Sequence, residues 1–209
     1  MKFYQEITLL PNVGDEIPLT FIWEKLYQQL HLAFVEIIDD QGKVNIGVSF
    51  PRYKSGGEKR WLGDKLRIFA ESEQALEVLC LAKWLSRLND YTHMSSIKSV
   101  PEHVDGYAVF RRLNKKSNIE KLARRRAKKL DISLEDALAF FKDTEQRQQS
   151  DFQASDYPFF WMTSLSSGSK YPVSVVREDV GHHETRIGFS TYGLSLEDND
   201  LRSAVPIFR

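Results

Sequence analysis

With a single cysteine, Cys80, in 209 residues, the chain can close no internal disulfide and offers no thiolate cluster to a zinc ion. Long apolar runs are also missing. The most apolar helical stretch, Ala75 to Leu88, is interrupted at Glu77, Lys83 and Arg87, which argues against a membrane span. Met1 to Leu10 shows no basic start followed by an apolar segment, so no secretory leader is expected, and with the scarce cysteine this points to a reducing cytoplasm. No glycine-rich phosphate loop, nucleophile elbow or paired-carboxylate motif occurs, so the common routes of nucleotide hydrolysis are unsupported. The adjacent His182 and His183 have no nearby thiolate and read as loop residues rather than a metal site, and no cofactor is expected. What is present suffices for packed cores: 42% hydrophobic and 12% aromatic residues against 28% charged exclude wholesale disorder.

The 29 basic and 29 acidic residues cancel, but their distribution is uneven. Arg111 to Leu130 holds ten Lys or Arg against Glu120 alone, a local net of +9 on a remainder of −9. A neutral total therefore hides a cationic stripe, as expected of a protein that draws a polyanion to one place.

Periodicity organises the first half. Lys2 to Leu9 reads as a strand, and Leu19 to Ile37, entered after Pro18, carries a helical apolar stripe at 19, 22, 26, 30, 33 and 34. Val44, Ile46, Val48 and Phe50 alternate as a second strand, ending at Pro51, and Leu66, Ile68 and Ala70 as a third. Ser72 caps a helix predicted to run to about Leu88, and Met94 to Val100 is a fourth strand. The order β-α-β-β-α-β is the split unit of a ferredoxin-like fold, placed over residues 1–101. Residues 102–209 form a second, mixed α/β domain, which makes the chain α+β. Strands there are predicted at Tyr107 to Leu113, Phe159 to Ser164, Tyr171 to Arg177 and Thr185 to Thr191, with a short helix over Ser133 to Phe141 and a polar connector over Lys142 to Tyr157.

Ser117 and Glu120 form a capping box that opens a helix over residues 118–130. Ile119, Leu122, Ala123, Ala127 and Leu130 share one arc, with Lys121, Arg124, Arg125, Lys128 and Lys129 opposite; Arg126 intrudes on the apolar side. Five like charges at spacings of three and four residues repel one another, and the face has no acidic partners, which favours nucleic-acid contact over a merely solvated face. An acidic protein partner is the competing reading. Arg112 and Asn114 stand just before this helix, and Arg suits guanine edges as Asn suits adenine. His31 lies at the border of the first helix's apolar stripe, a position that suits a structural role or a proton acceptor. RNA carries its own nucleophile, the 2′-hydroxyl, so its cleavage needs only a base, a group that fixes the ribose, and a phosphate held in line; a free imidazole titrates near 6.5 and no metal is demanded.

Several stretches, in constant order, resemble the CRISPR repeat-processing endoribonucleases of type I-F systems. They are Gln29-Leu30-His31-Leu32-Ala33-Phe34, Ile46-Gly47-Val48-Ser49-Phe50-Pro51, Leu62-Gly63-Asp64-Lys65-Leu66-Arg67-Ile68, Lys116-Ser117-Asn118 with the basic helix, Ser164-Leu165-Ser166-Ser167-Gly168, and Phe189-Ser190-Thr191-Tyr192-Gly193-Leu194-Ser195. The resemblance implies a ferredoxin-like half followed by a half bearing an arginine-rich helix. It also implies metal-independent cleavage of precursor CRISPR RNA at the 3′ base of a repeat hairpin, leaving a 2′,3′-cyclic phosphate. The product RNA is then retained within a surveillance complex with other subunits, and no membrane is involved.

Carried onto this sequence, the resemblance makes His31 the general base, Ser164 the group that constrains the ribose and Tyr192 the residue that positions the imidazole. It makes Tyr171 a stacking surface for a base beside the cut, Arg112 and Asn114 readers of the hairpin's foot, and Lys121, Arg124, Arg125, Lys128 and Lys129 phosphate contacts. A-form major grooves are narrow, so such readers act near a helix end. The family's catalytic tripeptide often reads Lys-Leu-His; here it is Lys25-Leu26-Tyr27, with His31 four residues on. The neighbours of His31 and its distance to the Ile46 motif favour His31, and Tyr27 is the other register. The second reader is commonly Gln, one methylene longer than Asn114. The alternative function is a hairpin-RNA-binding subunit without turnover.

Overall fold

The computed structural model describes residues 1–11, 17–56, 60–113, 119–130, 132–140, 157–181, 188–198 and 201–209. Strand β1 (Phe3–Leu9) turns Gln5, Ile7 and Leu9 inward by simple alternation and lies at the centre of an antiparallel sheet. On one side it pairs with β3 (Lys65–Ala70), which in turn pairs with β2 (Gly47–Ser49); on the other it pairs with β4 (Thr92–Met94) and β5 (Lys98–Ser99). The expected fourth strand is thus split. Between its two halves Ser95 leaves the ladder to bond β1, its N–H donating to the Glu6 carbonyl and its hydroxyl accepting from the Glu6 N–H. Helix α1 (Leu19–Glu36) joins β1 to β2 and buries Ile22, Trp23, Leu26, Tyr27, Leu30, Ala33 and Phe34, the predicted stripe with two aromatics added and with Leu19, at its start, only partly buried.

The helix predicted from Ser72 to Leu88 is broken. It runs as α2 (Glu73–Leu79), stops at Cys80 in the left-handed region (φ 47°, ψ 58°), and resumes as α3 (Leu81–Trp84) and a single 3₁₀ turn, Ser86–Leu88. The reason lies in the leucines. In an unbroken helix Leu81 and Leu85 would point about 140° and 180° away from Leu76. The break lets all three reach the core, where each is at most 2% exposed.

A second antiparallel sheet has the order β11-β6-β8-β7, built from β6 (Gly106–Arg112), β7 (Phe159–Thr163), β8 (Lys170–Val180) and β11 (Val205–Ile207). Two short strands, β9 (Glu197–Asp198) and β10 (Leu201–Arg202), form a separate pair. The strand expected over Thr185 to Thr191 is not present among the described residues: Phe189 makes isolated bridges to Val44 and Ser195, and 182–187 lie outside the described residues. Two antiparallel sheets with helices inserted in this order make the fold α+β, compatible with a ferredoxin-like unit.

Both sheets belong to one compact unit, Met1–Arg112 with Tyr157–Arg209. Its aromatic core draws Tyr27 and Phe34 from α1, Phe50 and Phe69 from the first sheet's region, and Phe110 and Phe160 from the second sheet, all buried. The other unit, Leu113–Asp156, contains α4 (Ile119–Leu130) and a helix over 134–140. Ser133 caps that second helix, its hydroxyl accepting from the Asp136 N–H at 3.0 Å. Within this unit Ala123 and Ala137 are buried, and Arg126 stacks its guanidinium on Phe140 at 3.7 Å, which accounts for a cation on the apolar side of α4. No helix among the described residues is long and apolar enough to cross a membrane.

Candidate active site

Glu24, Gln28 and His31 recur at intervals of four and three residues and so share one face of α1. Each makes a long-range bond. Glu24 accepts an ion pair from Lys170 at 3.0 Å. Gln28 bonds the main chain of Thr163 twice, its Nε2 donating to the carbonyl at 3.3 Å and its Oε1 accepting from the N–H at 3.2 Å. His31 Nδ1 lies 3.0 Å from the Thr191 carbonyl oxygen. A carbonyl has no proton to give, so Nδ1 carries the hydrogen, and the lone pair of the imidazole resides on Nε2. The imidazole lies flat on the Tyr192 ring, 4.8 Å between centroids at 9°.

The turn that supplies Thr191 and Tyr192 is locked to the first sheet. Gly193 (φ +68°) donates its N–H to the Ser190 carbonyl at 2.8 Å, and its own carbonyl accepts from the Val48 N–H at 3.0 Å. A Cβ at Gly193 would stand 2.5 Å from Val48 Cγ1 and 3.1 Å from Phe34 Cε2, so both the conformation and the space demand glycine. The Tyr192 hydroxyl meets that of Tyr171 at 3.0 Å, and the Arg112 guanidinium lies 5.7 Å from the Tyr171 ring and 5.6 Å from the Tyr192 ring. Burial, then the bond to Tyr171, pushes the Tyr192 phenol up to about 12, with Arg112 opposing; this hydroxyl therefore stays protonated at neutral pH.

Ser164 directly follows β7 and opens the loop that returns as β8. Its N–H donates to the Ser169 carbonyl at 2.9 Å and its carbonyl accepts from the Gly168 N–H at 2.8 Å, which closes the loop. The hydroxyl itself is held loosely, 3.2 Å from the Ser166 hydroxyl and 3.3 Å from the Ser167 N–H, and is free to turn to a ligand. Tyr27, the other register for the base, is wholly buried, stacked 3.6 Å from Phe160, and its hydroxyl has no hydrogen-bond partner among the described residues. It presents no atom to a substrate.

The family model described as CRISPR-associated protein (Cas_Csy4) matches residues 4–208. The chain belongs to this family. Two Cas_Csy4 relatives carry the name CRISPR-associated endonuclease Cas6/Csy4. The one from Escherichia coli (strain UTI89 / UPEC) is 32% identical and the one from Pseudomonas aeruginosa (strain UCBPP-PA14) 33% identical, each alignment covering 93% of this chain and 96% of the relative. A solved structure described as an RAMP protein binding different RNA substrates covers 98% of this chain and 100% of its own at 11% identity and a TM-score of 0.37, too distant to carry a structural argument.

On α4, Arg124 and Lys128 are exposed; the side chains of Lys121, Arg125 and Lys129 lie outside the described residues, as do Asn114, Ser117, His182 and His183. Arg111, counted among the stripe's cations, pairs with Glu178 at 2.7 Å, and Arg202 pairs with the same carboxylate, so Arg111 is tied into a local ion-pair cluster. No group of three or more His, Cys, Asp or Glu residues suited to a metal ion occurs among the described residues. Three contributors had no sequence signal that singled them out: Gln28, one turn before His31, and the main-chain groups of Thr163 and Thr191.

Proposed function

We propose that this protein, an endonuclease by family, is a metal-independent endoribonuclease that cuts CRISPR repeat RNA at the 3′ base of a hairpin by attack of the RNA's own 2′-hydroxyl. The observation that carries the reading is His31: Nδ1 is engaged by the Thr191 carbonyl, Nε2 is left basic, and Tyr192 backs the ring. In the reaction Nε2 accepts the 2′-hydroxyl proton as the oxygen attacks the adjacent phosphorus. The 5′-oxygen of the next nucleotide departs and takes up a proton from the imidazolium, which leaves a 2′,3′-cyclic phosphate and a restored base. Ser164 constrains the ribose with its loosely held hydroxyl, and Tyr192 keeps the imidazole in plane. Tyr171 offers its ring to a base beside the cut.

Arg112 and Asn114 read the foot of the stem, with Lys121, Arg124, Arg125, Lys128 and Lys129 on hairpin phosphates. Retention of the product RNA and entry into a type I-F complex belong to the same proposal. The test is single-turnover cleavage of the cognate repeat RNA in EDTA by wild type, His31→Ala and Ser164→Ala, with a 2′-deoxy nucleotide at the cut as control. Loss of the general base is expected to slow cleavage about 10² to 10⁴-fold with binding retained. Full activity of His31→Ala removes the base, and cleavage of the 2′-deoxy substrate removes the mechanism.

A further inference from the structure

Neither weak contact of the Ser164 hydroxyl fixes where that group sits, so its position is inherited from its backbone. On the β8 side the loop is closed by its own bonds. The remaining constraint is Thr163, whose register partner on β8 is Lys170. Antiparallel pairs alternate between bonded and non-bonded, and the bond from Ser164 N–H to the Ser169 carbonyl makes 163–170 a non-bonded pair. Thr163 therefore turns both its main-chain groups outward from the sheet, and both are taken by the single carboxamide of Gln28. That amide, donating one bond and accepting one, substitutes for a neighbouring strand on this open edge.

Gln28 is also three residues from His31 on a continuous helix, a rise of about 4.5 Å. One rigid element thus carries the imidazole and holds the strand end that delivers Ser164. Glu24 adds a second tie at Lys170, but the Lys170 side chain is 60% exposed and that contact is weakened by solvent.

We propose that Gln28 is a positioning residue, which holds Ser164 opposite His31 through the main chain of Thr163 and touches no substrate itself. This rests on the roles of His31 and Ser164 proposed above. A displacement near 1 Å can cost about 10²-fold, so Gln28→Ala is expected to slow single-turnover cleavage about 10- to 100-fold while RNA affinity changes less than about 3-fold. The decisive measurement is the same substitution made on a Ser164→Ala background. If Gln28 acts through Ser164, the second substitution adds less than about 2-fold there; a merely structural role costs the same in both backgrounds.

Gln28→Glu, which keeps the acceptor for the Thr163 N–H but sets a carboxylate against its carbonyl, is read in the same way and serves if Gln28→Ala fails to fold; an intermediate rate is expected. Wild-type rates for both variants, or equal losses with and without Ser164, overturn the proposal. His31→Ala run alongside separates the two levels. An active His31→Ala overturns the site reading whatever Gln28 does, whereas an inactive His31→Ala beside a wild-type Gln28→Ala overturns only the positioning role.

Discussion

Replacing Tyr27 with phenylalanine removes one oxygen atom from the middle of α1 and leaves the ring where it is, 3.6 Å above Phe160. The hydroxyl is buried with no hydrogen-bond partner among the described residues, a situation that costs about 1 to 3 kcal/mol relative to an apolar group of the same shape. Tyr27→Phe should therefore stabilise the protein by about 1 kcal/mol or more, a rise in Tm of about 2 to 4 °C for each kcal/mol in a chain of this length. The effect has a pH signature. Burial pushes the Tyr27 phenol well above its ordinary value of 10.0, so the folded state keeps a proton that the unfolded chain releases near that pH. Stability from this group is fully present below about pH 10 and falls as the pH rises further; at pH 11 the wild type has lost about 1.4 kcal/mol that the phenylalanine variant cannot lose. Urea melts of both proteins at pH 7 and pH 11 measure the two parts separately. A variant less stable than wild type at pH 7, or a gap that does not widen at pH 11, would show that the hydroxyl is satisfied. The same variant should cleave RNA at the wild-type rate. A loss of tenfold or more would return Tyr27 to the chemistry in place of His31.

Three further perturbations address other parts of the structure. Gly193→Ala forces a Cβ to 2.5 Å from Val48 Cγ1 at φ +68°, and should cost about 2 to 3 kcal/mol and slow cleavage by shifting Thr191 and Tyr192; unchanged melts would mean that the turn is not seated on Val48. Cys80→Gly relieves a left-handed non-glycine residue at φ 47° and should raise the unfolding free energy measured in urea by about 0.5 to 1 kcal/mol, a drop in stability being the contrary result. Lys128→Ala should weaken hairpin RNA binding and lower the slope of log affinity against log salt by about 1; an unchanged slope would take Lys128 off the phosphates.

The elements that depend on short intervals were readable in advance. β1, α1 and β3 follow from alternation at two residues and recurrence at three to four, because a strand or helix buries one face and the spacing of apolar residues records which one. The charge of residues 111–130 and the position of His31 beside an apolar stripe are equally local. The break at Cys80 was not readable, since each leucine from 76 to 85 is individually acceptable in a helix, and only a common core requires that those on opposite sides turn the same way. Arg126 looked misplaced until Phe140, on the neighbouring helix of its unit, supplied a ring. The tautomer of His31 is set by a carbonyl 160 positions away, and the strand end before Ser164 is tied to a glutamine 135 positions away. Main-chain donors and acceptors are the same at every residue but proline, so the choice of amino acid does not announce which of them a distant side chain will meet. Those partners exist only once the chain has closed on itself.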